Sequence, residues 1–240
     1  MTWNPVAIIQ ARLGSTRLPR KVMADICGKS MLERVMERAQ EAITPHAVVV
    51  AIPDGPDDDE LAEYVHGWPF WRGPELDVLA RYVQAAADFG ADPIIRVTAD
   101  EPLLDPGIID TCVRAYASVE CDMVTNNLRR VVPLGLDVEV ISREALERAD
   151  RVAMPREREH VTDYIRRFGS VVQARMPDLP GWAAQSRWTV DTQEDLDFVR
   201  QVYAAISEPT TEKVLAWMVA RCSSEWVRGL FSASRPDGHR

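Results

Sequence analysis

The stretch VAIIQARLGSTRLPRK, residues 6–21, decides the fold. Its first five residues are a nearly continuous apolar run. That pattern suits a strand buried on both faces, as in a parallel sheet. A loop follows at once, carrying Gly14, Ser15 and Thr16 among Arg12, Arg17, Arg20 and Lys21. The whole chain has a formal net charge of −9, so this local concentration of cations needs a reason. In an open parallel sheet, ligands bind beyond the carboxyl ends of the strands. A loop in that place offers backbone N–H groups, hydroxyls and forked guanidinium groups to phosphate oxygens.

The loop is neither of the common phosphate-binding motifs. A Walker loop ending at Gly28-Lys29-Ser30 requires glycine at position 23, where Met23 stands. No Gly-x-Gly-x-x-Gly follows the first strand either.

Working outward, apolar periodicity alternates between strand and helix. Strands are expected at 46–52, 93–99, 122–125, 136–140, 171–176 and 187–190. Helices are expected from Met31, at 57–65, 76–89, 106–117, 156–168, 192–206, 210–221 and 223–231, with another opening at Ser142. Ser30 is the N-cap of the first helix, with Met31, Leu32, Val35, Met36, Ala39 and Ile43 as its buried stripe. Strand–helix alternation through the first 125 residues implies a doubly wound α/β sheet. A single domain is expected over 1–231, with 130–185 as an acceptor-side or dimerisation subregion and 232–240 as a flexible tail. The C-terminal helices, with Val214, Leu215, Trp217, Met218 and Trp226, suit a dimer face or a cap.

Composition excludes several classes. The chain has 240 residues, 46% hydrophobic and 27% charged, an ordinary globular balance. Its acidity argues against a general nucleic-acid binder. No apolar stretch nears the ~18 residues of a membrane span, and no signal peptide is read. Cys27, Cys112, Cys121 and Cys222 have no zinc-finger spacing and read as buried free thiols in the cytoplasm.

The carboxylates complete the picture. VTADEPLLDP places Asp100 at the end of a central strand, beside Glu101. Asp191 follows a second strand, where Asp191 and Glu194 also have capping-box spacing. PLGLDVEV puts Asp137 and Glu139 on one strand face, suited to hydroxyl groups or a solvated edge. His160, in REREHVTDYI, lies on a helix with Arg156 and Arg158. A triphosphate carries more charge than two or three flexible cations neutralise. A charge pair at ~4 Å is worth about 4 kcal/mol at an effective dielectric near 20. A divalent metal held by carboxylates would supply the missing charge.

Together these segments resemble the sugar-activating cytidylyltransferases, including CMP-Kdo synthetase and the acylneuraminate cytidylyltransferases. The spore coat polysaccharide biosynthesis-type enzymes are the nearer match. Their loop reads Gln-Ala-Arg-x-Gly-Ser-Thr-Arg-Leu-Pro-x-Lys, present here from Gln10 to Lys21. RGPELDVLARYVQAA is similar to their Gly-x-x-x-Asp-Val-Leu-x-Arg-Tyr segment, through Gly73, Asp77, Val78, Leu79, Arg81 and Tyr82. VTADEPLLDP, PLGLDVEV, REHVT and VDTQEDLDF follow in the family's order. Glu101 departs from the spore-coat pattern and matches the Kdo-type Asp-Glu-Pro run.

The resemblance implies a Rossmann-like, mostly parallel sheet of the nucleotide-diphospho-sugar transferase type. It implies transfer of CMP from CTP to a sugar, sugar acid or sugar phosphate, with pyrophosphate released, in an often dimeric enzyme. Gln10, Ala11, Arg12, Gly14, Ser15, Arg17, Lys21 and Thr98 would bind the nucleotide. Arg12, Lys21 and Asp100 would be catalytic, and Asp100 and Asp191 would hold Mg²⁺. Asp137, Glu139, Arg158 and His160 would meet the acceptor. Two rivals stay open at this point: a glycosyltransferase using a nucleotide sugar, and a nucleotide-binding protein without catalysis. The run Thr98-Ala99-Asp100-Glu101 lacks the Asp-x-Asp usual in glycosyltransferases of related fold.

Overall fold

A computed structural model describes residues 3–221. Expectations for Cys222, Trp226, the helix at 223–231 and the tail at 232–240 lie outside the described residues.

The first strand, β1 (Val6–Gln10), lies inside a seven-stranded sheet, third from one edge. A two-residue hairpin follows the cationic loop, β2 (Asp25–Ile26) against β3 (Lys29–Ser30). Cys27 and Gly28 form its turn with φ of 53° and 85°, the left-handed pair that a tight hairpin demands. The other strands are β4 (Ala47–Pro53), β5 (Phe70–Gly73), β6 (Ile94–Thr98), β7 (Met123–Thr125), β8 (Glu139–Ile141) and β9 (Val171–Gln173). Their order is β5-β4-β1-β6-β8-β7-β9, and β8 alone runs against the rest. β4 and β6 flank β1 on opposite sides. The strand order therefore reverses beside β1, and the loops after β1 and β6 open a crevice there.

Alternate residues of β1 serve two cores. Ala7 and Ile9 pack toward α1 (Met31–Gln40), α4 (Pro106–Ala117), α8 (Gln193–Ala205) and α9 (Thr211–Arg221). Val6 and Ile8 pack toward α3 (Val78–Asp88), α5 (Arg143–Val152) and α7 (Asp163–Phe168). The short helices α2 (Asp59–Tyr64) and α6 (Pro155–Arg158) complete the set. Burial on both faces is why VAIIQ has no polar alternation.

Ser30 caps α1 as expected: its hydroxyl accepts from Glu33 N–H, and the Glu33 carboxylate accepts from Ser30 N–H. Ile43 falls beyond that helix and is 86% exposed, so it is not part of the stripe.

Four further expectations are corrected. The helix at 156–168 breaks into α6 and α7, because Val161 adopts a φ of 59°. The strand at 187–190 is not formed; the segment runs beside Leu134, whose carbonyl accepts from Trp188 and Thr189 N–H. The strand at 136–140 shortens to Glu139–Ile141, because Asn126 takes the polar groups of Leu136 and Val138. The capping box of α8 belongs to Thr192 and Asp195, one residue later than Asp191 and Glu194. β5 was not foreseen: it is a half-buried edge strand without a continuous apolar run. Of the thiols, Cys112 is buried and its pKa is pushed up by burial to about 12, but Cys27 is exposed.

Candidate active site

The crevice beside β1 contains a cavity of about 470 Å³. One wall is the loop after β1, with Ala11, Arg12, Gly14, Ser15 and Arg17. The floor is the strand ends, with Gln10 of β1 beside Thr98 of β6 in register. Asp100, Asp191 and Lys21 close one end, and Glu159 and His160 line the rim.

The loop owes its shape to interactions behind it. Leu13 N–H donates to the buried Asp58 carboxylate at 2.7 Å, and Arg20 N–H donates to the Leu13 carbonyl at 3.2 Å. Arg20 turns away to pair with Glu60, so it does not face the cavity. Arg12 has no hydrogen-bond or ion-pair partner among the described residues and is exposed, with its guanidinium free for a ligand. A Cβ at Gly14 would meet nothing within 4 Å, so protein packing does not require glycine there.

Lys21 occupies the focus of the site. Its ammonium donates to Asp100 Oδ2 at 2.8 Å, to Asp191 Oδ1 at 2.9 Å and to the Val190 carbonyl at 2.9 Å. Thr98 Oγ1 donates to Asp100 Oδ1 at 2.6 Å. Arg17 approaches Asp191 Oδ2 at 3.0 Å, and Arg187 shares that oxygen. Burial opposes ionisation of Asp191, but Lys21, Arg187 and Arg17 outweigh it and hold its pKa below the ordinary aspartate value. The next carboxyl along from Asp100 behaves oppositely. Burial first, then the charges of Asp137 and Asp100, push Glu101 well above the usual carboxylate range.

Asp100, Asp191 and the Val190 carbonyl are hard oxygen donors converging on one cationic point. Among the described residues no group of three or more His, Cys, Asp or Glu side chains could hold a metal. Two carboxylates suit Mg²⁺ or Mn²⁺, which take their remaining ligands from water and substrate phosphates. The donor set fits such an ion and is wrong for a softer metal.

The remaining candidates divide. His160 lines the cavity, whereas Asp137, Glu139 and Arg158 are spent on internal partners. Asp137 forms a two-pronged pair with Arg130, both contacts at 2.9 Å. Arg158 donates to Asp77 at 2.7 Å and also pairs with Asp150. Glu139 is buried between Arg96, at 2.7 Å, and Arg166. Burial would raise its pKa, yet the two arginines hold it below the ordinary value. This carboxylate supports two walls at once. Arg96 Nη2 donates to the Gln10 side chain at 3.1 Å, on the floor. Thr162 Oγ1 donates to Glu139 at 3.0 Å, which anchors the rim. Thr162 N–H also donates to the His160 carbonyl at 2.5 Å across Val161, a γ-turn that swings Glu159 and His160 toward the cavity.

Two lining residues, Arg96 and Glu159, went unread in the sequence, and Arg81 was read only as part of a motif and not as a site residue. Arg96 did carry a signal, being the one charge inside the apolar run of β6. Arg81 gives its guanidinium to the Pro74 and Glu75 carbonyls, a use no spacing reveals.

A doubly wound sheet with a cationic loop at its switch point, facing two aspartates, is the class of α/β protein that binds its ligand beyond the carboxyl ends of the strands, with donors suited to a phosphorylated one. A family model for cytidylyltransferases matches residues 6–214. The chain is 32% identical over 211 residues to the spore coat polysaccharide biosynthesis protein SpsF of Bacillus subtilis, spanning 84% of this chain and 87% of that protein. It is 38% identical over 122 residues to a 3-deoxy-manno-octulosonate cytidylyltransferase of Geobacter sulfurreducens, about half of each chain (48% and 46%). Its fold matches a cytidylyltransferase structure from Leptospira borgpetersenii with a TM-score of 0.85 and 26% identity, covering 99% and 100% of the two chains. The chain belongs to the cytidylyltransferase family, enzymes that use CTP as nucleotidyl donor.

Proposed function

We propose that this enzyme transfers CMP from CTP to an oxygen of a small sugar-type acceptor, as a step in making surface polysaccharide precursors. The acceptor is a sugar, a sugar acid or a sugar phosphate. The observation that carries this reading is the meeting of Lys21, Asp100 and Asp191 inside a cavity walled by the loop after β1.

In the proposed reaction the acceptor oxygen attacks the α-phosphorus. The bond from that phosphorus to the bridging oxygen breaks, and pyrophosphate leaves. Arg12, Arg17 and Lys21 face the departing charge, and Ser15 with the loop N–H groups adds donors. Gln10 and Thr98 shape the floor. Asp100 and Asp191 hold Mg²⁺, which when bound neutralises phosphate charge and orients the polyphosphate. Acceptor recognition falls to the rim at Glu159 and His160, within the 130–185 subregion. Asp137, Glu139 and Arg158 act there through the residues they brace. The enzyme works in the cytoplasm, where CTP is made, and a homodimer is in keeping with this reading. No helix among the described residues is long and apolar enough to cross a membrane.

The test is pyrophosphate release with Mg²⁺ across four nucleoside triphosphates and a panel of sugars, sugar acids and sugar phosphates. Release should require CTP and one acceptor class. Release with another triphosphate alone, or with none, would overturn the proposal.

A further inference from the structure

Lys21 fills the position that the two aspartates offer to a cation. Its three N–H donors are all used, on Asp100 Oδ2, Asp191 Oδ1 and the Val190 carbonyl. Its side chain is only 13% exposed, so water has little part in holding it. Each carboxylate turns one oxygen inward to the ammonium, while the other oxygen is engaged by Thr98 or by Arg17 and Arg187. Every oxygen of the carboxylate pair therefore already has a partner. An ammonium and a divalent cation at one point repel strongly, so they exclude each other. Yet Lys21 also belongs to the loop that faces a bound polyphosphate.

We infer that Lys21 is a specificity-determining residue for the metal site. It acts as a resident counter-cation that keeps Asp100 and Asp191 closed to free metal ions. A polyphosphate supplies new acceptors for the ammonium, and only then is the carboxylate pair released. Cation and nucleotide are thus admitted together, and a loose divalent ion is refused. This rests on the proposed metal role of Asp100 and Asp191.

The experiment measures binding, with no turnover and no acceptor. Free Mn²⁺ is counted by electron paramagnetic resonance against the full-length protein, with and without CTP. Lys21→Ala and Lys21→Met are compared with the wild type, each checked for folding by circular dichroism; the methionine keeps the stem that packs in the site. Without CTP, both variants should bind Mn²⁺ at least about tenfold more tightly than the wild type, since removing the ammonium strips Asp100 of its ion pair and leaves Asp191 only its outer partners, Arg17 and Arg187. Adding Asp191→Asn to either variant should erase that gain. CTP should raise Mn²⁺ binding of the wild type more than that of the variants.

If neither variant gains affinity, while the wild type takes up Mn²⁺ with CTP in an Asp100- and Asp191-dependent manner, the role of Lys21 is overturned and the metal site stands. If the wild type shows no such uptake even with CTP, the metal site itself fails and this inference falls with it.

Discussion

The backbone carbonyl of Asp100 accepts a hydrogen bond from Val190 N–H at 2.9 Å. Thr189 Oγ1 adds a second donor to the same carbonyl at 3.1 Å. The two segments bearing the aspartates are therefore sewn together through the main chain, independently of their side-chain charge.

That separation makes Asp100→Asn and Asp191→Asn clean tests. Both should fold, with melting temperatures within about 4 °C of wild type, corresponding to roughly 1 kcal/mol. Turnover should fall about 10²- to 10³-fold or more, the scale for losing a key electrostatic contact. Pyrophosphate release near the wild-type rate from both would refute the proposed site.

Lys21→Ala should weaken binding of CTP with Mg²⁺ by about 10- to 100-fold. Charge-assisted hydrogen bonds are worth roughly 1.5–3 kcal/mol. Isothermal titration calorimetry measures this directly. An unchanged affinity would remove Lys21 from the nucleotide grip.

Gly14→Ala separates ligand from packing. The added methyl group meets no protein atom within 4 Å, so thermal stability should hold or rise by a few tenths of a kcal/mol. CTP affinity should nevertheless drop at least about fivefold, about 1 kcal/mol, if the ligand comes close to this backbone. Equal affinities would place the phosphates elsewhere along the loop.

Gly135→Ala should damage the site from outside it. Gly135 has a φ of +106°, and a Cβ there would lie 2.4 Å from Thr189 N and 2.7 Å from the Trp188 carbonyl carbon. Strain and overlap should cost about 2 kcal/mol or more, read by urea unfolding. Because residues 188–190 lead into Asp191, activity should fall with stability. A variant as stable as wild type would show that this crossing is loose.

Glu139→Gln should cost about 3 kcal/mol, since it leaves the partly buried Arg96 and Arg166 against a buried neutral amide. The pH dependence follows from the sign of the shift. Glu139 is held below the ordinary glutamate value in the folded chain. Its contribution is thus fully present above that ordinary value and is lost as pH falls through the depressed one. Wild-type stability should decline more steeply than the variant's in that acid range. Parallel acid-unfolding curves would contradict the assignment.

Much of this architecture was legible because the central strands are buried on both faces. VAIIQ and AVVVAI announce themselves by nearly unbroken apolarity and IIRVT by an apolar run with one charge, and the cationic loop follows the first of them. The rest depended on tertiary partners. A helix over 156–168 fits local periodicity, but Thr162 bonds to Glu139 and Val161 adopts a left-handed backbone. Asp137 and Glu139 alternate like site residues, and only the fold reveals Arg130, Arg96 and Arg166 beside them. At Asp191 two cap registers were a single residue apart. The box formed by Thr192 and Asp195 leaves the Asp191 carboxylate to Lys21.

The contact between Lys21 and Asp191 spans 170 positions of sequence. A contact of such range carries the entropy cost of closing the intervening chain. On the ribosome, the loop after β1 emerges long before its last aspartate does. A growing chain released before Val190 could fold much of the sheet and still lack the second carboxylate, so under the proposed mechanism unfinished copies would be catalytically silent.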